Sequence, residues 1–374
     1  MAKAVYVGVG SKARKMKKAY IGIGGKARKV KKMYIGVGGK ARLCYSAELE
    51  RYGMAAALST TRYDMRAATV GKYALFAGGY ISKSSFGYSV SSSVDAYNTS
   101  LTKSTPTELS CKRCGHAAAS VGGYALFAGG ASSYNILGFY ENLVSAVDAY
   151  DASLTRSAAH IIGATVAIGG AAVGNYALFA GGTVYSQVNK DNVTSDVLAY
   201  DPSLTFTTAP LLSVARANVK GASAGNYALF AGGRAGSFCT TVDAYNASLT
   251  RTTATALSST KNNSAAATVG NHAIFVGNTA SADIYDASLT KTSAAILSTA
   301  RTGLAATTVG DYAIFSGGGV ADFCDASLTR SSIGTSMTGY DMGAATIGDY
   351  ALFAGGHSSE KSDTAYDSVE VYTA

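Results

Sequence analysis

Short apolar runs that end in paired glycines recur along most of the chain. The first reads Tyr-Ala-Leu-Phe-Ala-Gly-Gly from Tyr73, and related runs begin at Tyr124, Tyr176, Tyr227, His272, Tyr312 and Tyr350. The spacings are 51, 52, 51, 45, 40 and 38 residues. A second motif of the form Val-Asp-Ala-Tyr-Asn/Asp-x-Ser-Leu-Thr follows the first six runs, and a run of small residues such as 67–71 precedes each of the seven. Short apolar segments between turn signals predict β-strands.

Each repeat predicts a unit of four strands. Strand A is the small-residue run, strand B is the Tyr-Ala-Leu-Phe run, and strand C is the Val-Asp-Ala-Tyr run. Strand D follows Ser-Leu-Thr, for example over Thr252 to Leu257. Paired glycines after strand B suit positive φ or a place without room for a side chain. The Asn/Asp-x-Ser sequence predicts a tight turn between strands C and D, because an Asx side chain bonds to nearby backbone amides.

The seventh repeat has strands A, B and C, and strand C is Val369 to Tyr372. The segment Leu49 to Leu58 aligns with the strand D at Arg251 to Leu257. We therefore expect residues 48–58 to complete the last unit, which would leave no free sheet edge. The fold prediction is an all-β, seven-bladed β-propeller closed by an N-terminal strand.

The units resemble kelch repeats. The resemblance rests on the Gly-Gly after an apolar strand, on the Tyr200-Asp-Pro-Ser turn and on the basic residue before strand A, as at Arg113. It covers roughly residues 48–374, and the chain departs from the family in having no Trp. The resemblance implies a propeller whose B–C and D–A loops share one face around a central channel.

Residues 1–45 form a second repeat system with a period of 14 residues. Tyr-Val/Ile-Gly-Val/Ile-Gly-Ser/Gly-Lys-Ala-Arg begins at Tyr6, Tyr20 and Tyr34, which predicts an apolar strand, a glycine turn and a basic strand in each copy. The segment is too small to bury a core alone. It resembles glycine- and lysine-rich N-terminal repeats of prophage tail-associated proteins, which implies attachment to a particle. We therefore divide the chain into an attachment segment, 1–45, and a recognition domain, 46–374.

The charge is divided unevenly between these two parts. Thirteen of the 32 basic residues lie in 1–47, where there is no acidic residue, so 19 basic and 23 acidic residues remain in 48–374. The overall charge of +9 is therefore weak support for nucleic-acid binding by the main domain. We expect no nucleic-acid partner there, although binding of nucleic acid or of an anionic surface by the N-terminal segment stays open as an alternative. The longest apolar run, Ile161 to Gly174, is too short to span a bilayer. Glycines interrupt Met1 to Gly10 and Lys12 follows at once, so we expect no secretory signal peptide.

A series of basic residues marks the turns between strands D and A. Eleven residues before strand B stand Arg62, Arg113, Thr165, Arg216, Lys261, Arg301 and Gly339. The kelch resemblance implies that this position faces the central channel and can contact a ligand. The five cations would then bind an anionic glycan, polymer or peptide. In the alternative interpretation, they pair with the repeated strand-C acids.

The loops between strands B and C are long in units 1, 2, 3 and 7 and short in the others. The long loops carry aromatic residues that suit glycan stacking or protein contact; those we predict as ligand-binding are Tyr80, Phe86, Tyr88, Tyr134, Phe139, Tyr140 and Tyr185. Because these four units would be neighbours around a ring, their loops would crowd one side of one face. In the alternative interpretation, the aromatic residues only pack the loops against themselves.

Candidate chemistry is otherwise sparse. Gly22-x-Gly24-Gly25-Lys26 lacks the spacing and the Ser/Thr of a phosphate-binding P-loop. Cys111-x-x-Cys114 has no second pair, and with five irregularly spaced cysteines we expect neither a zinc site nor a disulfide framework. The repeated strand-C acids are interpreted as architectural. We expect no cofactor, no metal and no enzymatic activity.

The sequence therefore predicts a non-enzymatic adhesin. The expectation is a virion protein, made in the bacterial cytoplasm without a signal peptide, that joins phage tail or baseplate proteins through residues 1–45. Its propeller would recognise a bacterial surface glycan or protein, and homo-oligomers stay possible. The alternatives are an intracellular kelch scaffold for an acidic partner and, less favoured, a glycan-active enzyme.

Overall fold

Small antiparallel sheets account for the regular structure of this chain. The computed structural model describes residues 6–9, 12–15, 19–23, 26–30, 32–37, 40–46, 48–84, 87–135, 140–160, 163–184, 192–261, 265–359 and 362–374. Within these ranges there is no α-helix, and the sheets have two or four strands. The fold is all-β and β-propeller-like.

Three hairpins occupy the N-terminal segment. They are β1 (Tyr6–Val9) with β2 (Lys12–Lys15), β3 (Tyr20–Ile23) with β4 (Lys26–Lys29), and β5 (Lys32–Val37) with β6 (Lys40–Ser46). In the second hairpin Ile21 lies opposite Arg28, and Ile35 lies opposite Arg42 in the third. The predicted pairing of an apolar strand with a basic strand is confirmed in each copy, while the predicted turns at residues 10–11, 24–25 and 38–39 lie outside the described residues. Ile21 and Tyr34 are exposed, so these hairpins leave apolar side chains uncovered.

The repeats begin with β7 (Glu50–Met54). Units one and two contribute β8 (Arg66–Val70), β9 (Tyr73–Ala77), β10 (Tyr80–Ser84), β11 (Gly87–Val90), β12 (Val94–Asn98), β13 (Lys103–Ser104), β14 (Ala117–Val121), β15 (Tyr124–Ala128), β16 (Ala131–Tyr134), β17 (Tyr140–Leu143), β18 (Val147–Asp151) and β19 (Arg156–Ala158). Units three and four contribute β20 (Thr165–Val166), β21 (Gly169–Val173), β22 (Tyr176–Ala180), β23 (Thr183–Val184), β24 (Val197–Tyr200), β25 (Phe206–Ala209), β26 (Lys220–Ala224), β27 (Tyr227–Ala231), β28 (Arg234–Ala235), β29 (Ser237–Phe238), β30 (Val242–Asn246) and β31 (Arg251–Ala254).

The last three units have fewer accessory strands. They contribute β32 (Ala265–Val269), β33 (His272–Val276), β34 (Ser281–Tyr285), β35 (Lys291–Ala295), β36 (Ala305–Val309), β37 (Tyr312–Gly317), β38 (Val320–Asp325), β39 (Arg330–Gly334), β40 (Gly343–Ile347), β41 (Tyr350–Ala354), β42 (His357–Ser359), β43 (Ser362–Ala365) and β44 (Val369–Thr373). Every repeat forms a four-stranded sheet in the order A-B-C-D, and in the last sheet β7 pairs with β44.

The innermost strands lie side by side. Each strand A, from β8 through β14, β21, β26, β32 and β36 to β40, contacts the next, and β40 contacts β8. Hydroxyl groups link these strands: Ser120 Oγ donates to the Thr69 carbonyl at 2.7 Å, and Thr69 Oγ1 donates to the Thr346 carbonyl at 2.8 Å. Ser223, Thr268, Thr308 and Thr346 donate in the same way to the preceding strand. Unit three has Ala172 at this position and cannot donate.

The cores between sheets are built from the alternate residues of strands B and C. Phe76, Phe127, Phe179 and their equivalents are buried, and in every unit except unit six, which has Cys324 at the tyrosine position, they meet a strand-C tyrosine edge to face, as Phe230 does with Tyr245 at 5.9 Å between ring centroids. These tyrosines keep their hydroxyls bonded: Tyr97 donates to the Ala56 carbonyl at 2.7 Å, and Tyr245 donates to the Pro210 carbonyl at 2.8 Å. Apolar rings with a satisfied polar tip therefore hold strand C against the connection that precedes its own sheet.

The turns have the predicted chemistry. Asp201 Oδ1 accepts from the amides of Ser203 and Thr205, both at 2.9 Å, and Leu204 takes a φ of 62°. Five other C–D turns repeat this bond pattern at Asn98, Asp151, Asn246, Asp286 and Asp325. After strand B, Gly79 has a φ of 98°, and a Cβ there would lie 2.5 Å from the Tyr63 carbonyl oxygen. Glycine is required at this position both by conformation and by space.

Burial divides the four cysteines of the repeats into two pairs with different reactivity. Cys114 and Cys324 are buried, which raises the pKa of each thiol to about 12, whereas Cys111 and Cys239 are partly exposed. Because the thiolate is the nucleophile, we predict that iodoacetamide at pH 8 labels Cys111 and Cys239 at least about tenfold faster than the buried pair. Peptide mass spectrometry of the native protein measures the four rates. Equal rates that match those in denaturant would contradict the packing.

Candidate functional site

The five basic residues of the D–A turns lie inside the sheets. Arg62, Arg113 and Arg216 have no exposed surface, Lys261 is buried, and Arg301 is only partly exposed. Each pairs with the strand-C acid of its own unit. The pairs are Arg62–Asp95, Arg113–Asp148, Arg216–Asp243 at 2.9 Å, Lys261–Asp283 at 3.4 Å and Arg301–Asp322 at 2.6 Å.

Most of their remaining hydrogen-bond donors are used as well, although the buried Nε of Arg62 and of Arg301 has no partner within the described residues. Arg216 donates to the carbonyls of Gly232, Val214 and Phe230 at 2.9–3.0 Å. Each acid also meets a second cation at the start of strand D. These outer pairs are Lys103–Asp95, Arg156–Asp148, Arg251–Asp243, Lys291–Asp283 and Arg330–Asp322, at 2.8–3.8 Å. The acid is therefore held between an inner and an outer cation.

Unit three lacks all three charges together. Thr165 stands at the inner cation position, Leu198 at the acid and Phe206 at the outer cation. Phe206 stacks on His160 with ring centroids 4.5 Å apart, and a cavity of about 20 Å³ beside Thr165 and Leu198 remains inside the unit. Because the three charges are absent together, we infer that each one is needed only to compensate the others.

Unit seven retains a pair of a buried acid and a cation but forms it from different residues. Gly339 replaces the inner cation and Glu370 replaces the acid. Arg51 of β7 bonds to Glu370, and Ser336 donates to the same carboxylate through its amide and its hydroxyl. The geometry thus favours the second interpretation of Arg62, Arg113, Arg216, Lys261 and Arg301, in which they pair with repeated acids. Burial leaves these side chains little surface on which a ligand could be bound.

The aromatic residues of the long loops come together in an accessory sheet. Strands β10 and β11 of unit one pair with β16 and β17 of unit two in the order β10-β11-β16-β17. Tyr88 lies opposite Tyr134, and the rings of Tyr80, Tyr88, Tyr134 and Tyr140 contact one another with centroids 4.9–5.7 Å apart. Tyr80 is buried, while the other three are partly exposed.

The accessory sheet continues on both sides. Strand β43 of unit seven contacts β10, and β20 of unit three, which pairs with β23, contacts β17. The loops of units 7, 1 and 2 therefore lie together as expected, and the described start of the unit-three loop, β23, joins them through β20, while residues 185–191 of that loop lie outside the described residues. We call this assembly of β10, β11, β16, β17, β20, β23, β42 and β43 the canopy. Three predicted ligand-binding residues, Phe86, Phe139 and Tyr185, lie outside the described residues.

A cluster of polar residues lies beside the canopy, at one end of the space that the strand-A segments enclose. We call this cluster, Asp64, Arg66, Lys220, Asp341 and His357, the polar mouth. Arg66 donates from Nη1 to Asp64 at 2.6 Å and from Nε to the His116 carbonyl at 2.9 Å. His357 Nε2 lies 3.0 Å from Asp341 Oδ2, and the Asp64 amide donates to the Asp341 carbonyl at 2.7 Å. These residues join units one and seven at the edge of the channel.

Lys220 enters the same space from unit four. Together with Arg66 it lines a cavity of about 200 Å³ that is otherwise bounded by small strand-A residues, such as Ala118 and Gly170, and by larger apolar residues, such as Met65 and Met342. Burial, followed by the charge of Arg66, lowers the pKa of Lys220, although Asp64 and Asp341 act in the opposite direction. Sequence reasoning did not single out Arg66 or Lys220. The signal was present, because they are long cations at a strand-A position where other units have Ala or Gly.

Tyr140 connects the canopy with the mouth. Its ring packs over Gly115, where a Cβ would lie 3.1 Å from the tyrosine ring. Burial raises its pKa, and the nearby carboxylate of Asp64 adds to that effect. The hydroxyl therefore stays protonated at neutral pH and can donate a hydrogen bond. A partly exposed aromatic face and a polar pocket are thus neighbours on one surface.

Other chemistry is limited in the part of the chain that the structure describes. No group of three or more His, Cys, Asp or Glu side chains is arranged to hold a metal ion there. Cys111 and Cys114 are free thiols. The same residues include no helix long and apolar enough to cross a membrane.

Comparison with known proteins supports the fold. No family model matches the sequence, and no curated protein matches it. The solved structure of YjhT is similar, with a TM-score of 0.54 and 12% sequence identity, over 86% of this chain and 99% of that chain. At this identity the similarity concerns the fold alone. It agrees with a β-propeller-like arrangement.

The charge set of unit four can be exchanged for that of unit three. We predict that Arg216→Thr destabilises the protein by about 3–5 kcal/mol, because it leaves Asp243 buried with only its outer cation. The triple variant Arg216→Thr, Asp243→Leu, Arg251→Phe reproduces the uncharged set and should recover most of that loss. Urea denaturation measures both. A triple variant that is less stable than the single variant would contradict the inference that the three charges compensate one another.

Proposed function

We propose that the chain is a seven-bladed β-propeller closed by its N-terminal strand. The support is the four-stranded sheet in each of seven repeats, the pairing of β7 with β44 and the contact of β40 with β8. The hydroxyl bonds between strand-A segments run in one sense from unit to unit, including from Thr69 of unit one to Thr346 of unit seven. Closure leaves these small sheets without an unpaired edge between the first and last units.

The proposed function is non-enzymatic recognition. We propose that the protein is a receptor-binding component of a phage or phage-like tail, and that its canopy and polar mouth bind a glycan or protein on a bacterial surface. The observation that carries the proposal is the gathering of Tyr88, Tyr134 and Tyr140 beside Asp64, Arg66 and Lys220. Binding residues are commonly held on loops above a rigid scaffold, as here.

Glycan chemistry fits this surface. Sugar rings stack their C–H faces on aromatic side chains, and their hydroxyls bond to carboxylates, amines and phenols. Tyr88 and Tyr134 offer partly exposed rings, while Asp64 and Lys220 offer an acceptor and a donor at the mouth. The same pattern of aromatic and polar groups suits a protein ligand, so the ligand panel includes both classes.

The attachment segment supports the two-part design. Its three hairpins repeat one arrangement of apolar and basic residues, and exposed Ile21 and Tyr34 offer apolar surface for a partner. We propose that residues 1–45 join the tail or baseplate, and that the protein acts in the virion.

Recognition is tested with residues 46–374 on a panel of bacterial cells, wall glycans and surface proteins. We predict that Tyr88→Ala with Tyr134→Ala weakens binding at least about tenfold, since each removes a stacking surface. Phe238→Ala is the matched control, because it removes an exposed aromatic residue from a unit-four loop outside the canopy. Equal loss in the control, or full binding by the double variant, would contradict the canopy as the recognition surface.

Attachment is tested by deletion. We predict that residues 46–374 fold with the unfolding midpoint of the full chain, because the hairpins form sheets of their own that share no strand with the repeats. The deletion should bind the surface ligand but no longer assemble on particles. Circular dichroism and co-sedimentation with tails measure the two properties. Particle assembly without residues 1–45 would place attachment elsewhere.

A further inference from the structure

The first residue of strand A differs in two units. Arg66 and Lys220 stand where the other units have Ala117, Gly169, Ala265, Ala305 and Gly343. A small residue suffices for the fold at this position, since five units use one. The two long cations therefore add something beyond the architecture of the repeat. In contrast to the paired cations of the D–A turns, they line an open cavity.

Donors at this cavity are left over. Arg66 uses Nε for the His116 carbonyl and Nη1 for Asp64, and within the described residues its Nη2 makes no hydrogen bond. Lys220 likewise has no hydrogen bond or ion pair closer than 4 Å to any residue that the structure describes. An ammonium and a guanidinium with unused donors thus line one space of about 200 Å³.

The carboxylates nearby are already engaged. Asp64 accepts from Arg66, and Asp341 is within hydrogen-bond distance of His357. Arg66 and Lys220 repel each other, which is one cause of the lowered pKa of Lys220. A group with several acceptor oxygens and a negative charge would take up the free donors and relieve this repulsion. The cavity, lined otherwise by alanine, glycine and apolar residues such as Met65 and Met342, has a volume of about 200 Å³ and so has room for such a group.

We propose that the Lys220–Arg66 cavity is an anion subsite that takes a carboxylate or phosphate group of the ligand. The inference deepens the proposed recognition function and rests on it for the biological source of the ligand. The canopy tyrosines would contact the uncharged part of that ligand, while the subsite holds its charged end. The class of ligand is therefore an acidic glycan or a phosphate-bearing glycan polymer.

Three probes of similar size test the subsite: glucose, glucuronate and glucose 6-phosphate. Binding of each to the full chain is measured by isothermal titration or by saturation-transfer NMR. We expect at least one charged probe to bind about tenfold or more tightly than glucose, because charge-assisted bonds are the stronger ones. The charged probe that binds tells carboxylate from phosphate, and competition by inorganic phosphate tests the latter.

Substitutions assign the effect to Lys220. Lys220→Met should abolish the preference for the charged probe, and Lys220→Arg should retain it. Lys72→Met is the matched control, since it removes the same charge from an exposed turn between strands A and B. Thermal melting checks that each variant folds, and Lys220→Gln replaces Lys220→Met if the latter does not.

The outcomes separate the subsite from the recognition function. Equal binding of glucose and the charged probes, or an unchanged preference in Lys220→Met, overturns the subsite. If the Lys220→Met variant still binds cells, the subsite plays no part in recognition, and the proposal that the canopy is the recognition surface is unaffected. Charged-probe binding that needs Lys220, without binding to any cell, supports the subsite and contradicts the proposed surface function.

Discussion

A buried acid between two cations is the interaction on which five of the seven repeats depend. Asp243 is the example: it lies inside the sheet with no exposed surface and meets Arg216 at 2.9 Å and Arg251 at 3.6 Å. The inner cation also bonds to carbonyls of its own unit, so one side chain ties the D–A turn to strands B and C. Removing one partner leaves a buried charge, which is costly. Unit three avoids that cost by losing all three charges.

Because interior contacts hold the repeats together, the loops between strands B and C are not needed to stabilise the scaffold. Units five and six connect strands B and C with short turns, whereas units 7, 1, 2 and 3 carry the hairpins of the canopy. The same scaffold supports both. Variation that leaves the core unchanged is typical of binding loops on rigid frameworks. The polar mouth lies beside the canopy, so the proposed recognition surface combines loop residues with two strand residues, Arg66 and Lys220.

Much of the local structure could be predicted from the sequence, because seven repeats in phase show the strand pattern repeatedly. The strands follow from a pattern present in every unit, the Asx turns from a motif present in six units, and the proximity of the long loops from their place in units 7, 1, 2 and 3. The role of Arg62 and its equivalents could not be predicted in the same way, because a basic residue before strand A can either bind a ligand or pair with a buried acid. The geometry favours pairing with the acid, and unit three agrees, because Thr165, Leu198 and Phe206 replace all three charges there. Lys220 was missed because its signal is a departure from the repeat, a long cation where five other units have Ala or Gly, and the repeat analysis followed only what the units share.

A loop exchange tests most directly the claim that the scaffold is held from within while the canopy recognises the ligand. Residues 80–90 and 131–143 would be replaced by the Gly-Gly-Gly-Val turn of residues 317–320, and binding of the product to the bacterial surface panel would be measured. The account predicts a cooperatively unfolding protein that no longer binds. A folded protein that binds as well as the original would contradict it.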